Sequence, residues 1–407
     1  MKTGDGSLKN VLRNCDMANE FRKYFKGDAV IWTVIVALSI FSLLAVYSST
    51  GSLAYKYQGG DTSYYVIKHA ILLLFGLVII FLTHKIHYKY FSRLSQVFLV
   101  IAVILLILTL IIGITINEAT RWLEIPVIGL TFQTSDFAKL ALIMYLARML
   151  SLKQNNIKDY YGAFVPILVP VLIICMLILP ANLSTAIILL ATSFILMFIG
   201  RINFKYLFIF SIIVAAIIGI FVVIALSNEW EGRIGTWRNR IESFVDKDSE
   251  QTYQIDQSKI AIVSGGLIKV RPGKSVQRNF LPLPYSDFIY SIIIEEYGLA
   301  GGIIVMFLYL YLLFRAGVII KQSNRTFPAF LAMGMTILIV IQAMVNMAVA
   351  VNILPVTGQP LPMISMGGTS MIFTCIEFGI ILSVSREINK QAESTYEEAH
   401  IEKENID

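Results

Sequence analysis

Six ionisable side chains stand in or beside long apolar runs: Asp136, Lys139, Asp287, Glu295, Glu296 and Glu377, with Asn182, Gln342 and Asn346 as neutral companions. A charge at the centre of a bilayer costs about 2.5–3.5 kcal/mol on insertion scales unless it is paired or hydrated, so each of these marks a structural bond or a site. Asp136 and Lys139 are three apart and share a helix face, which suits an ion pair or a cation lining a substrate cavity. Asp287 follows Pro284 and Ser286, residues that open a helix. It can be a first-turn carboxylate worth ~0.3–1 kcal/mol to that helix, or a general base at the membrane–water boundary. Glu295 shares its face roughly 12 Å deeper, where a structural partner is expected rather than chemistry. Glu296 points about 100° away, and Gly298 beyond it favours close helix packing. Glu377 is expected to be a further structural polar group.

These side chains need elements to hold them. Of 407 residues, 57% are hydrophobic and 15% charged, the balance of an all-α polytopic membrane protein. A spanning helix takes roughly 20 mostly apolar residues. About ten runs qualify, near 29–49, 65–83, 95–116, 135–150, 162–180, 183–200, 206–226, 285–314, 328–352 and 366–385. The fourth is short and carries Asp136 and Lys139. The first 28 residues are polar and the run after them is long enough to span, so an uncleaved anchor is expected behind a tail. Cys15, Cys175 and Cys375 all avoid the outer loops, and no structural disulfide is expected. His84 and His87 lack Cys or carboxylate neighbours, and no phosphate-binding or dinucleotide fingerprint appears.

The net charge of +6 is not laid out for nucleic acid. Lys and Arg crowd alternate loops, as in Lys85, Lys89 and Arg93, then Arg148, Lys153 and Lys158, then Arg315, Lys321 and Arg325. The short loops between hold only Lys56 and Arg121. This positive-inside alternation places both termini in the cytoplasm. It also places 227–284 outside, a basic segment long enough to suggest function. Within it "QIDQSKIAIVSGGLIKV" (254–270) reads as an amphipathic helix that lies on the outer interface or dips into the protein, or else as a solvated loop helix. A second outer loop, "NILPVTGQPLPMISMGGTS" (352–370), has too many prolines for a hairpin. The chain thus divides into a cytoplasmic tail at 1–28, a transmembrane domain at 29–386 and a Glu- and Lys-rich tail at 387–407, expected to be disordered in the cytoplasm.

Five ordered stretches, "EATRWLEI" (118–125), "FQTSDFAKLALIMYLA" (132–147), "YQIDQSKIAIVSGG" (253–266), "GKSVQRNFLPLPYSDFIYSIIIEEYG" (273–298) and "LPVTGQPLPMISMGGTS" (354–370), together resemble the SEDS family. This is the FtsW/RodA group of bacterial cell-wall polymerases, and the resemblance extends over nearly all of 29–386. It implies a peptidoglycan glycosyltransferase that polymerises lipid II, an undecaprenyl-diphosphate-linked disaccharide-peptide, at the outer face of the bacterial cytoplasmic membrane. It implies as partners a class B penicillin-binding protein, the transpeptidase that crosslinks the glycan, and other membrane proteins of the division complex. The phrasing "SDFIY…IIEEYG" is more similar to division-type FtsW, hence to a protein of the septum, than to elongation-type RodA.

Residue by residue, Asp287 falls on the family's proposed catalytic aspartate, and Asp136 and Lys139 fall on its "QPSE..K" motif, with Asp for Glu and Thr134 for Pro. The family's "LPE.HTDF" is here "LPLPYSDF", with Leu283 and Tyr285 replacing a Glu and a His. Ala181 and Asn182 stand where the family commonly has an acid and a Leu, leaving no acid there for metal or substrate. The implied reaction couples a sugar 4-hydroxyl to an anomeric carbon whose leaving group is a lipid diphosphate. It asks for one base and for cationic help to the diphosphate. Asp287 is the implied base, and Arg121, Lys139, Lys269, Arg271, Lys274 and Arg278 are the candidate substrate-binding cations. A divalent cation, Mg or Mn, is a further candidate with no ligand set evident. Two other functions fit the same residues: a lipid II flippase and a non-catalytic scaffold for the transpeptidase. A flippase needs polar groups in both leaflets, whereas these crowd the outer half.

Overall fold

The computed structural model describes residues 26–404 apart from 58, 117–118, 126–129, 228–234 and 236–249. The chain begins with α1 (Ala29–Ser49), α2 (Gly51–Tyr57), α3 (Ser63–Lys85) and α4 (Tyr88–Ile112). A three-stranded antiparallel sheet follows, β1 (Ile114–Ile116), β2 (Ala119–Ile125) and β3 (Leu130–Gln133) in that spatial order. Then come α5 (Thr134–Leu152), α6 (Val165–Ile178), α7 (Leu183–Ile199), α8 (Phe204–Ser227), α9 (Glu250–Gly265), α10 (Ile289–Gln322), α11 (Thr326–Ala350) and α12 (Gly368–Glu404).

Each apolar run named from the sequence carries a helix. Among the described residues seven helices are long and apolar enough to cross a membrane: α1, α3, α4, α6 with the turn before it, α10, α11 and the first part of α12. α7 and the apolar part of α8 are shorter. α5, the short charged run, has 13 of its 19 residues buried, so it is a central helix walled by protein. α4, α6, α7, α11 and α12 all pack on it. Small residues set the close approaches. A Cβ on Gly334 of α11 would stand 2.6 Å from Ile143 of α5, and one on Gly76 of α3 2.6 Å from the Cys375 sulfur of α12. Asp28 caps α1 by accepting from Val30 N at 2.8 Å and also pairs with Arg315 of α10.

Three features differ from the reading of the sequence. β1, β2 and β3 form a small sheet beside the helices, with Trp122 opposite Gln133 and Leu123 opposite Phe132; their β-branched and aromatic residues favour strands over a loop. α12 runs on to Glu404, so the tail as far as that residue is helical. Its Glu, Lys and Ala residues are good helix formers and extend a helix already nucleated by packing. α10 starts at Ile289 and not at Ser286, which leaves Asp287 in the turn that precedes it.

Candidate active site

The outer half of the site rests on an interruption in α10. Gly298 has φ 70° and ψ −179°, a conformation reserved in practice for glycine. The interruption frees backbone groups for the outer segment that follows α9. Leu299 N and Ala300 N donate to Gly266 O and Leu267 O at 2.9 and 3.1 Å, and Arg271 N donates to Glu296 O at 2.9 Å. The fit is tight enough that a Cβ on Gly298 would stand 2.7 Å from Leu267 O. α9 itself dips into the protein: Ser258 Oγ lies 2.5 Å from Ser291 Oγ of α10 and donates to Ala350 O of α11 at 2.7 Å.

Glu295 and Glu296 fasten the next stretch of the same segment. Glu295 accepts from Ser275 Oγ at 2.5 Å, Val276 N at 2.9 Å and Gln277 N at 3.3 Å. Glu296 accepts from Ser275 N at 2.9 Å and from the Ser48 hydroxyl of α1. Both carboxylates are buried. Arg278 is tied in beside them, donating to Ser48 O at 2.9 Å and Gly273 O at 3.1 Å.

Asp287 is held differently. Three consecutive carbonyls of its turn accept from the Pro- and Gly-rich outer loop or from α11: Tyr285 O from Met366 N at 2.9 Å, Ser286 O from Ser365 Oγ at 2.7 Å, and Asp287 O from Asn346 Nδ2 at 3.0 Å. Phe288, next to it, is buried with Leu281 and Ile292 in a small apolar cluster. The backbone is thereby fixed while the Asp287 side chain remains half-buried. Ser286 Oγ donates to Asp287 Oδ1 at 3.0 Å, and Gly358 (φ 66°) brings the outer loop close, its Cβ position 3.8 Å from Oδ2.

Behind this turn a polar ladder descends into the bundle. Asn346 also donates to Gln359 O at 2.8 Å, and Gln342, one helical turn away on α11, donates to Pro360 O at 3.2 Å. Gln342 Oε1 accepts from Lys139 Nζ at 3.1 Å, and Lys139 pairs with Asp136 at 2.9 Å. Lys139 is only 4% exposed, so the cation sits below the loop carrying Asp287 and not in an open cavity. Glu377 of α12 is buried within Coulombic reach of both members of the pair.

The remaining candidate cations are dispersed. Arg121 on β2 donates through Nε to Ala181 O at 2.9 Å. Lys269 donates to Ser264 O at 2.8 Å, while Arg271 and Lys274 present exposed side chains. Arg233, Arg238 and Arg240 of the same loop lie outside the described residues. Asn182, at the position that lacks the family's Leu, is the N-cap of α7 and accepts from Thr185 N at 3.3 Å. Among the described residues no three His, Cys, Asp or Glu side chains gather as metal ligands. The sequence marks Ser286 only as a helix start and does not single out Gln359 and Ser365. The only signal of these two was their place in the motif "TGQPLPMIS", since neither is apolar-periodic or ionisable.

Comparison with known proteins agrees with this architecture. A family model described as "Cell cycle protein", covering FtsW, RodA and SpoVE, matches residues 28–390. The chain is 33% identical over 365 residues to a "Probable peptidoglycan glycosyltransferase FtsW" of Trichlorobacter lovleyi, covering 88% of this chain and 93% of that one. It is 31% identical to the protein of the same description in Coxiella burnetii, covering 88% and 96%. Among solved structures, a chain of one described as "Structural coordination of polymerization and crosslinking by a peptidoglycan synthase complex" superposes with a TM-score of 0.71 at 22% identity, covering 89% of this chain and 98% of that one. The crystal structure of the rod shape determining protein RodA of Thermus thermophilus superposes with a TM-score of 0.63 at 23% identity, covering 89% and 97%.

Proposed function

The chain belongs to the FtsW/RodA/SpoVE family, and we propose that it is a peptidoglycan glycosyltransferase of the division type, polymerising lipid II at the outer face of the cytoplasmic membrane. The observation that carries this reading is Asp287: a half-buried carboxylate on a turn whose backbone is fastened at three successive carbonyls. Preorganisation of that kind is what a general base needs, because a base must meet its proton within hydrogen-bond reach without first being ordered.

In the proposed reaction Asp287 takes the proton of the acceptor sugar's 4-hydroxyl as that oxygen bonds to the anomeric carbon of the donor. The bond from that carbon to the lipid diphosphate breaks on the opposite side, and the diphosphate leaves with the electron pair. Arg271 and Lys274, exposed on the outer segment that Glu295 and Glu296 fasten, supply positive charge for the leaving group. No step is assigned to a metal ion.

The seven long apolar helices and the family make the chain an integral membrane protein. Charge alternation supports cytoplasmic termini, and the FtsW relatives support action at the septum. A class B penicillin-binding protein is the proposed partner, supported by the fold shared with a chain of a complex that couples polymerisation to crosslinking.

The test is in vitro polymerisation of lipid II by the purified full-length protein, with and without a transpeptidase partner. Wild type is expected to make glycan strands, and Asp287→Asn is expected to make them at least about a hundredfold more slowly while staying folded and partner-bound. Polymer formation by Asp287→Asn at the wild-type rate would refute the assignment of the base. Translocation of lipid II in liposomes without any polymer would replace the polymerase reading with a flippase.

A further inference from the structure

At the end of the bundle away from Asp287 lies an open cavity of about 660 Å³ between the start of α4, the end of α5 and the turn joining α10 to α11. α11 measures the separation. Thr326, its first residue, lines this cavity, while Asn346 holds the Asp287 turn, and twenty residues of helix span roughly 30 Å. The cavity is thus on the opposite side of the membrane from the site described above.

Its chemistry is one-sided. Lys89, Arg93, Arg148 and Arg325 all line it, and no lining residue is acidic. Lys89, Arg93 and Arg325 are exposed, and Glu387, which pairs with Arg386 at 2.7 Å and stands 3.4 Å from His87, is not among the lining residues. Two helices also begin here. Tyr88 and Lys89 are in the first turn of α4, and Thr326 and Phe327 are in the first turn of α11. Helix N-termini carry about half a positive charge each and favour anions. Arg148 is anchored by donating from Nη1 to Ser92 O at 2.5 Å, yet its Nε is buried without a hydrogen-bond partner. The Ser92 hydroxyl adds a neutral donor, while that of Ser151 is paired with Thr326 Oγ1 at 2.6 Å.

We propose that this cavity binds a phosphate-bearing headgroup, and that the occupant is an anionic phospholipid of the adjacent leaflet. Arginine-rich concavities at helix N-termini are suited to phosphate by charge and by fork geometry. The volume is in the range of small-ligand sites. Tyr88, Leu152 and Phe327 give part of the wall an apolar character, which suits a headgroup continued by acyl chains better than a free ion. Leu152 is also exposed, an apolar side chain on the outside of the bundle. The site is separate from the proposed lipid II chemistry, and neither its success nor its failure alters that assignment.

The experiment uses the full-length protein in phosphatidylcholine vesicles with and without phosphatidylglycerol, and native mass spectrometry counts the phosphatidylglycerol retained after extraction. Wild type is expected to retain it selectively. Arg93→Gln and Arg325→Gln should each weaken retention about tenfold, the ratio that one lost charge-assisted contact gives. Lys259→Gln, at an exposed lysine on α9, should change nothing. Thermal unfolding in phosphatidylcholine alone reports folding, and Arg325, exposed in the turn before α11, is the variant expected to fold as wild type. Sodium pyrophosphate forms the second arm. Binding of pyrophosphate with no selective retention of phosphatidylglycerol would keep the phosphate chemistry but overturn the phospholipid as occupant. Retention by both arginine variants equal to wild type would overturn the site altogether.

Discussion

Asp287 and the pair Glu295–Glu296 are carboxylates within ten residues of one another, and the protein treats them in opposite ways. At Glu295 and Glu296 the carboxylates are what is gripped: backbone N–H groups and serine hydroxyls of 275–277 and α1 converge on their oxygens, and both are buried. At Asp287 the grip is on the backbone, through three carbonyls, and the side chain stays half-buried. A buried acceptor satisfied by several donors stabilises a loop and becomes costly to remove. A carboxylate whose main chain is immobilised, with its side chain still reaching solvent, is poised to exchange a proton. Full burial on one side, and a half-buried side chain on a fixed turn on the other, separate a brace from a base more surely than charge does.

The sharpest way to break this comparison is Asp287→Asn. Loss of a positioned base is expected to lower the polymerisation rate by about 10²–10⁴-fold, with the thermal unfolding temperature unchanged. A folded, inactive protein sustains the contrast. An unfolded one would make Asp287 a brace as well.

Glu295→Ala should give the mirror image. It strands the buried Ser275 hydroxyl, at a cost of about 1–3 kcal/mol, and also frees the part-buried Val276 N, which water can reach. Unfolding temperature and resistance of the outer segment to proteolysis should both fall, while the rate per folded molecule stays within a few-fold of wild type. An unaltered unfolding temperature with abolished turnover would sink the distinction. Gly298→Ala tests the same brace from the backbone side, since a Cβ there meets Leu267 O at 2.7 Å in a conformation that L-residues rarely adopt. Its expected loss is about 1–3 kcal/mol of stability.

How much of this was legible in the chain follows the same division. The helices were, because roughly twenty apolar residues in a row leave the backbone no other way to satisfy itself in lipid. Asp136 and Lys139 were legible as a pair because three residues on a helix is a local relation. The start of α10 was not. Pro284 and Ser286 have the types that open a helix, yet Ser365, Met366 and Asn346 take the carbonyls of 285–287 and hold that turn out of it. Those donors are 59 or more residues away in sequence, and no local preference reports them. The sheet of β1–β3 and the interruption at Gly298 were hidden for the same reason, since each is defined by a partner strand or segment.

Smaller effects test how far the grip on the backbone matters. Asn346→Ala removes the donor to Asp287 O and to Gln359 O, leaving the carboxylate itself intact. If immobilising the turn is what prepares the base, kcat should fall about tenfold through misplacement while KM changes little. A rise in KM alone would instead place Asn346 in substrate binding.

The smallest expected effect is at Ser286, whose hydroxyl donates to Asp287 Oδ1 at 3.0 Å. Ser286→Ala removes one hydrogen bond to the side chain and none of the three that hold the backbone. A single such bond, here only part-buried, falls toward the low end of about 0.5–1.5 kcal/mol, so the rate should change about threefold and stability hardly at all. The comparison predicts this order, backbone donors ahead of the side-chain donor. If Ser286→Ala costs more turnover than Asn346→Ala, then orientation of the carboxylate matters more than rigidity of its turn, and Ser286 belongs with the base itself.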